Sequence, residues 1–320
     1  MRPLNVWRDL MPIADLIELC FGATLDAEGR SSVNRMRRNA HNSAFLNWTS
    51  RAMDSTSLPF SGYVWEDGGR IVGNVSLIPF HQRGKKIYLI ANVATHPDYR
   101  RRGIAHTLTE RAVQHARDHK TDSIWLHVRE DNPGAIYLYE RLGFAEQARR
   151  TSWNAPSRGA PENPYPRLST QPKAPQHWEV QREWLERAYP VTLQWYYARH
   201  WDIFRPGLWN SVYRFMTETY TEQWTAHQND RLLGALSWNH SLSQFDRLWA
   251  ALPPDSNGEA LTALLIRARN SFPNGHTLQL DYPAHLHESD ILMAGFNLQR
   301  TLIWMKFPGA TQKQIARINQ

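Results

Sequence analysis

Val93-Ala94-Thr95-His96-Pro97-Asp98-Tyr99-Arg100-Arg101-Arg102-Gly103-Ile104-Ala105 is the stretch whose residue types could do chemistry. An apolar strand ends at Thr95, a turn carries three arginines, and a helix starts at a glycine. The first amides of a helix lack partners within it, and the helix dipole favours negative charge at that end. Gly103 lets a phosphate approach the backbone, and Ala105 keeps the first turn narrow. Arg100, Arg101 and Arg102 add charge and donors suited to phosphate oxygens. These residues point to a pyrophosphate-containing ligand, although a basic turn before a helix also reads as a solvated loop. A second stretch decides the matter: Asn132-Pro133-Gly134-Ala135-Ile136-Tyr137-Leu138-Tyr139-Glu140-Arg141-Leu142-Gly143-Phe144.

Arg100-x-x-Gly103-x-Ala105 resembles the acyl-CoA pyrophosphate loop of the GNAT family of N-acetyltransferases. The second stretch resembles that family's Asn…Ala…Leu-Tyr-Glu-x-x-Gly-Phe signature. The two occur in the family's order and at a family-like distance, and the resemblance covers roughly residues 1–153. It implies acetyl-CoA as co-substrate. The backbone of Val93, Ala94 and Thr95 would pair with the pantetheine arm at a splayed strand edge. Amides from Arg101 through Gly103 and Ile104 to Ala105 would hold the pyrophosphate, Asn132 would bond the arm from the other side, and Tyr139 would sit near the sulfur.

Acyl transfer from a thioester to an amine needs a base for the amine, a donor for the oxyanion and an acid for the thiolate. A phenol, with a pKa of about 10, keeps its proton at neutral pH and suits the last role. Tyr139 takes it by its place four residues before Gly143, leaving Tyr137 structural. The oxyanion donor would be a backbone amide near Val93 or Ala94. Trp125-Leu126-His127-Val128-Arg129 resembles the Leu-Glu-Val-Arg strand of ribosomal-protein alanine N-acetyltransferases, where the glutamate is the proposed base. His127 stands at that position; it is the candidate base, directly or through water, and also reads as a satisfied sheet histidine. Glu66 and Glu130 are weaker candidates. The departure puts an alanine N-terminus in doubt as the substrate.

The elements that would position these groups follow from periodicity. Leu10, Ile13, Leu16, Ile17 and Cys20 recur at helical spacing behind a possible cap at Asp9. Ser61–Trp65 and Arg70–Ile78 read as strands joined by a Gly68-Gly69 turn. Lys86–Thr95 and Ser123–Val128 are further strands. Ile104, Leu108, Ala112 and Ala116 form one helical stripe, and a helix from Pro133 to Leu142 stops at Gly143. Prolines 156, 161, 164, 166, 172 and 175 mark a semi-extended linker over 154–175. Arg70-Ile71-Val72-Gly73-Asn74-Val75-Ser76 is echoed by Arg231-Leu232-Leu233-Gly234-Ala235-Leu236-Ser237. Arg141-Leu142-Gly143-Phe144 is echoed by Met293-Ala294-Gly295-Phe296. Two echoes in one order indicate an internal repeat.

The expected fold class is therefore α/β (α+β): a tandem GNAT fold, each copy a mixed, mostly antiparallel sheet with helices on both faces. The expected domains are a catalytic acyl-CoA-binding domain over 1–153, the linker, and a degenerate copy over 176–320. In that copy Pro253-Pro254-Asp255-Ser256-Asn257-Gly258-Glu259-Ala260 replaces the arginine loop, with Asp255 and Glu259 opposing phosphate. Ile291, Ala284 and Gln279 stand at the places of Tyr139, Asn132 and His127. The aromatic run from Trp195 to Trp209 reads as core or as a pocket wall. A degenerate half beside an active one also resembles mycothiol synthases, so a small-molecule amine is as suitable an acceptor as a protein N-terminus or lysine.

Length and composition agree with this class. The chain's 320 residues favour two domains, and 42% apolar residues suffice for packed cores. One cysteine excludes an internal disulfide framework. The Met1–Asp9 segment lacks a signal-peptide core, and no apolar run is long enough to cross a bilayer. The expectation is a cytoplasmic protein without a membrane partner. The net charge of +7 has no basic tail behind it and suits a polyanionic co-substrate rather than nucleic acid. No metal is expected: the pairs His115/His119 and His285/His287 lack a third ligand. A non-catalytic acyl-CoA sensor is the alternative from another class.

Overall fold

In the computed structural model, residues 1–42, 61–82, 84–197, 201–217, 219–240, 245–272 and 277–308 are described. Contacts divide the chain into two units. The first comprises Met1–Ala148 with the segment from Leu302; the second is Arg149–Thr301.

The first unit runs β1 (Arg2–Pro3), α1 (Val6–Phe21), α2 (Ala27–Ala40), β2 (Ser61–Asp67), β3 (Arg70–Gln82), β4 (Lys85–Thr95), α3 (Ile104–Asp118), β5 (Ser123–Arg129) and α4 (Pro133–Arg141). Its strands lie in the order β1-β2-β3-β4-β5, followed by Leu302–Phe307 of the chain's last strand, β12 (Asn297–Phe307). Only the β4–β5 pair is parallel. Its connection is α3, as a parallel pair requires a crossover.

Helices cover both faces. The stripe Ile104, Leu108, Ala112 and Ala116 packs with Val75, Leu77, Tyr88, Ile90, Leu126 and Tyr139 on one face. On the other, Leu10, Ile13, Leu16 and Ile17 of α1 join Val33 and Met36 of α2 over Val64, Ile71 and Ala94. The cap of α1 is Asn5, whose side chain accepts from the Trp7 amide. Asp9, expected there, sits one turn later and is fully buried. It accepts from both terminal nitrogens of Arg2, at 2.6 and 2.8 Å, and from the Asn5 amide. Burial alone would raise its carboxyl pKa; the bonds from Arg2, Asn5 and Arg8 outweigh that and lower it.

The second unit repeats the order. β8 (Thr221–Gln228), β9 (Arg231–Asn239), β10 (Phe245–Ala251), α8 (Glu259–Ser271), β11 (Thr277–Pro283), α9 (Glu288–Met293) and β12 correspond to β2, β3, β4, α3, β5, α4 and β6 (Ala145–Pro156). Its strand order is β7 (Ser169–Pro172), β8, β9, β10, β11, then β6 from Arg150 to Pro156. Ahead of β8 lie α5 (Trp178–Ala188), α6 (Gln194–Tyr197) and α7 (Leu208–Met216). Each unit is thus closed by the strand that follows the other unit's last helix. β6 pairs with β11, and β12 pairs with β5.

This arrangement differs from the boundary expected at residue 153. The stretch expected as linker begins inside β6 and contains β7, so its prolines flank strands rather than suppress them. Of the aromatic run, Trp195, Tyr197, Trp201 and Phe204 are core, whereas Trp209 is 84% exposed. In the second unit Arg269 is buried and donates to the carbonyls of Pro156, Arg158, Gly159, Ala294 and Gly295. The first unit's last strand places Ile303, Met305 and Phe307 in its core. Met305→Ala should therefore cost the first unit about 2–5 kcal/mol. Amide exchange should quicken in β5 and leave β9 and β10 unaffected; the opposite pattern would refute the assignment of this strand.

Candidate active site

Hydrogen bonding between β4 and β5 runs from Ile87↔Ser123 to Ile90↔Leu126 and then ceases. Beyond that point Ala94 and Thr95 pair with β3, and none of Val93, Ala94 and Thr95 has a β5 partner. A cleft edged by backbone groups results.

One extra residue enters β4 at the parting point. Asn74 faces Ala94 and Ser76 faces Ala91, so Asn92 and Val93 together stand opposite Val75. Asn92 takes the left-handed conformation, φ 52°. This β-bulge reverses the side-chain alternation. Tyr88 and Ile90 face α3, and after the bulge Val93 does so while Ala94 faces α1.

The edge leads into the arginine loop. Arg101 and Gly103 are left-handed, with φ of 60° and 78°, and Gly103 caps α3 without a side-chain bond. The helix's first internal bond is from Thr107 to the Gly103 carbonyl. The amides of Ile104, Ala105 and His106 precede it and are left for an outside acceptor. Arg102 donates to the Asp98 carbonyl at 2.9 Å and lies 4.8 Å over the Tyr99 ring. Arg100 and the Cys20 thiol both donate to the Thr95 carbonyl, at 3.4 and 3.3 Å. All three arginines are exposed. This cradle fits a pyrophosphate: oriented amides, an αL glycine, a 15-residue helix behind it and three guanidinium groups.

The remaining candidates fall on two faces of the sheet. Tyr139, on α4, is 6% exposed, and its ring stands 6.2 Å from that of Phe144 on the α3 side. Burial pushes its hydroxyl pKa well above the ordinary phenol value. His127 is half-buried on β5. Ile124, Leu126 and Val128 face α3, so His127 and Arg129 project to the opposite face. Arg129 there donates to the Thr24 carbonyl in the turn between α1 and α2, at 3.2 Å. His127 and Tyr139 can therefore serve one reaction only through the gap between β4 and β5. Asn132 caps α4, its side-chain oxygen accepting from the Ala135 amide at 3.1 Å, which leaves its NH₂ for a ligand.

Glu66 is engaged elsewhere: it accepts from Arg2 and Arg8, which lower its pKa. Glu130 is half-buried just after β5. Tyr137, expected to be structural, is 61% exposed with Arg141 over its ring. His115 and His119 stack on each other at 4.1 Å, and His115 meets the Tyr63 hydroxyl at 3.0 Å. No cluster of three metal-ligating side chains exists among the described residues.

Sequence reasoning missed Trp304. It pairs across the ladder with His127, its ring 5.0 Å from the imidazole and 2% exposed. The alternating run Leu302–Phe307 signals a strand but not its neighbour. The polar side chains of Asn74, Ser76 and Asn92 at the bulge were also missed.

In the second unit the corresponding cradle is filled from within. Gly258 is left-handed, φ 86°. Its amide bonds the Ser256 hydroxyl, and that of Glu259 bonds the Asn257 side chain. A Cβ added at Gly258 would lie 2.0 Å from a carboxylate oxygen of Asp290. An incoming phosphate would meet that carboxylate. Ile291, at the tyrosine's place, is fully buried.

Residues 30–144 match the family model described as Acetyltransferase (GNAT) family. The chain carries a GNAT domain. A [Ribosomal protein bS18]-alanine N-acetyltransferase of Escherichia coli K12 is 39% identical over 62 residues, 19% of this chain and 42% of that protein. The chain thus spans less than half the length of that relative. A mycothiol acetyltransferase of Parafrankia sp. is 42% identical over 57 residues, 18% of each chain. The crystal structure of a GCN5-related N-acetyltransferase from Sphaerobacter thermophilus aligns with 96% of each chain at a TM-score of 0.55 and 14% identity, a likeness of fold. With one open cradle and one filled, calorimetric titration with coenzyme A should saturate at one molecule per chain. A stoichiometry of two would overturn the reading of Asp290.

Proposed function

We propose that this chain is an N-acetyltransferase that moves an acetyl group directly from acetyl-CoA to a primary amine. The observation that carries this reading is the continuous path from the unpaired edge of Val93–Thr95 to the cradle at Arg100–Ala105. The GNAT match over the same residues supports it.

Acetyl-CoA would supply the thioester whose acyl carbon is transferred. Backbone groups of Val93, Ala94 and Thr95 hold its pantetheine arm, Asn132 donates to that arm from α4, and the amides from Arg101 to Ala105 with their arginines hold its pyrophosphate. His127 takes a proton from the attacking amine, directly or through water. An amide of Val93 or Ala94 donates to the carbonyl oxygen as charge gathers there. As the C–N bond forms and the C–S bond breaks, the Tyr139 hydroxyl gives its proton to the departing sulfur. Its raised pKa keeps that proton in place throughout the neutral range. The base and the acid lie on opposite faces of the sheet, so the amine approaches from the α1–α2 side and the sulfur lies toward α4.

The acceptor is a small-molecule amine or a protein amine. The partial likenesses to a ribosomal-protein alanine N-acetyltransferase and to a mycothiol acetyltransferase support each class in turn. His127 in place of the glutamate weighs against strict alanine N-terminal specificity.

Coenzyme A release from acetyl-CoA, measured across a panel of amines and N-terminal peptides, tests the proposal. At least one acceptor should stimulate release. Tyr139→Phe should lower kcat by roughly 10²-fold or more while coenzyme A still binds. Because Tyr139 titrates above its ordinary value, no loss of kcat between pH 7 and 9 should trace to it, so the fold-loss in the Phe variant should be constant across that range. Binding of acetyl-CoA with no amine-stimulated release would favour the sensor reading, and absence of binding would refute both.

A further inference from the structure

The bulge in β4 is surrounded by polar side chains in the middle of the sheet. Asn74 and Ser76 are wholly inaccessible to solvent. The Asn74 side-chain NH₂ donates to the backbone carbonyl of Asn92 at 2.9 Å and to the Ser76 hydroxyl at 3.3 Å. The Asn92 side chain donates to the same hydroxyl, also at 3.3 Å. The Asn74 side-chain oxygen has no hydrogen-bond partner. A buried acceptor left open is costly, and an apolar residue would avoid that cost.

The bond to the Asn92 carbonyl has a geometric consequence. A peptide unit is planar and trans, so its C=O and N–H point in opposite directions. Asn74 lies on β3 and draws the Asn92 oxygen toward β3. The N–H of the same peptide unit belongs to Val93, and it is turned away from β3. That is the side on which β5 has already parted from β4. From these facts the geometry points to Asn74 as a positioning residue that aims the Val93 amide into the cleft as the oxyanion donor.

The second unit provides an internal control. Ala235 stands where Asn74 stands in the repeat. There the β9–β10 register runs without interruption from Arg247↔Asn239 to Ala251↔Ala235, and one residue, Ala250, faces Leu236. No described residue of β10 has a positive φ. The asparagine, the bulge and the open cradle occur together in one unit and are absent together from the other.

This inference rests on the acetyl-transfer reading, and its test separates the two. Asn74→Asp keeps the shape and removes the donor; Asn74→Leu removes both polar atoms. In the free protein, both variants should move the Val93 amide resonance in ¹⁵N spectra and leave those of Arg101–Ala105 in place. In turnover, both should lower kcat about tenfold or more and change coenzyme A affinity less than about threefold, since the pyrophosphate cradle is untouched. An unmoved Val93 amide in the folded Asp variant would overturn the positioning role, whatever the enzyme does. Equal losses in affinity and kcat would likewise overturn it in favour of a general structural part. Should the unsubstituted protein release no coenzyme A with any amine, the acetyl-transfer reading fails and the oxyanion role with it. The spectra would then still decide whether Asn74 orients the peptide.

Discussion

Everything in the first unit depends on the parting of two strands. A parallel ladder begins between β4 and β5 and stops after Ile90↔Leu126. Backbone donors and acceptors cannot be buried unpaired without a penalty of about 1–3 kcal/mol each, so a sheet that opens in its middle must present that edge to water or to a ligand. Here the edge is continuous with a loop of three arginines and with the start of a 15-residue helix. The opening is tolerable because side chains hold its rim: Cys20 and Arg100 at the Thr95 carbonyl, Asn74 at the Asn92 carbonyl.

The same constraint accounts for the placement of the candidate residues on two faces. A cleft through a sheet has a mouth on each face. The α3–α4 face is apolar and buries Tyr139, which fixes the phenol in its protonated form. The opposite face carries His127 beside Trp304 and is reached from the α1–α2 side. The second unit has the same elements in the same order, yet closes its helix start with Ser256, Asn257 and Asp290. Like folds here present unlike helix starts because a handful of polar side chains differ.

Much of this was legible in the sequence because it is local. The arginine loop, Gly103, the helical stripe from Ile104 to Ala116, the Gly143 stop and the repeat of Arg70–Ser76 in Arg231–Ser237 are all set by neighbours in the chain. Pairing between distant strands leaves no such mark. Nothing in Leu302–Phe307 distinguishes a partner in β5 from a partner in β11, so Trp304 escaped notice and the boundary near residue 153 was drawn by composition. The bulge was hidden for a related reason: it depends on Asn74 and Asn92 meeting across two strands. Asp9 reads as a cap because its side chain suits a helix start; its buried contact with Arg2 shows only in the fold.

The exchange of final strands also fixes the order in which the chain can finish folding. Met1–Ala148 leaves the ribosome with β5 still lacking its outer neighbour, which lies beyond the whole of Arg149–Thr301. At about 5–20 residues per second, roughly 8–30 s separate the two. During that interval the β5 edge carrying His127 is an open template for the wrong strand. β6, already synthesised, is the nearest candidate, and it must be kept for β11.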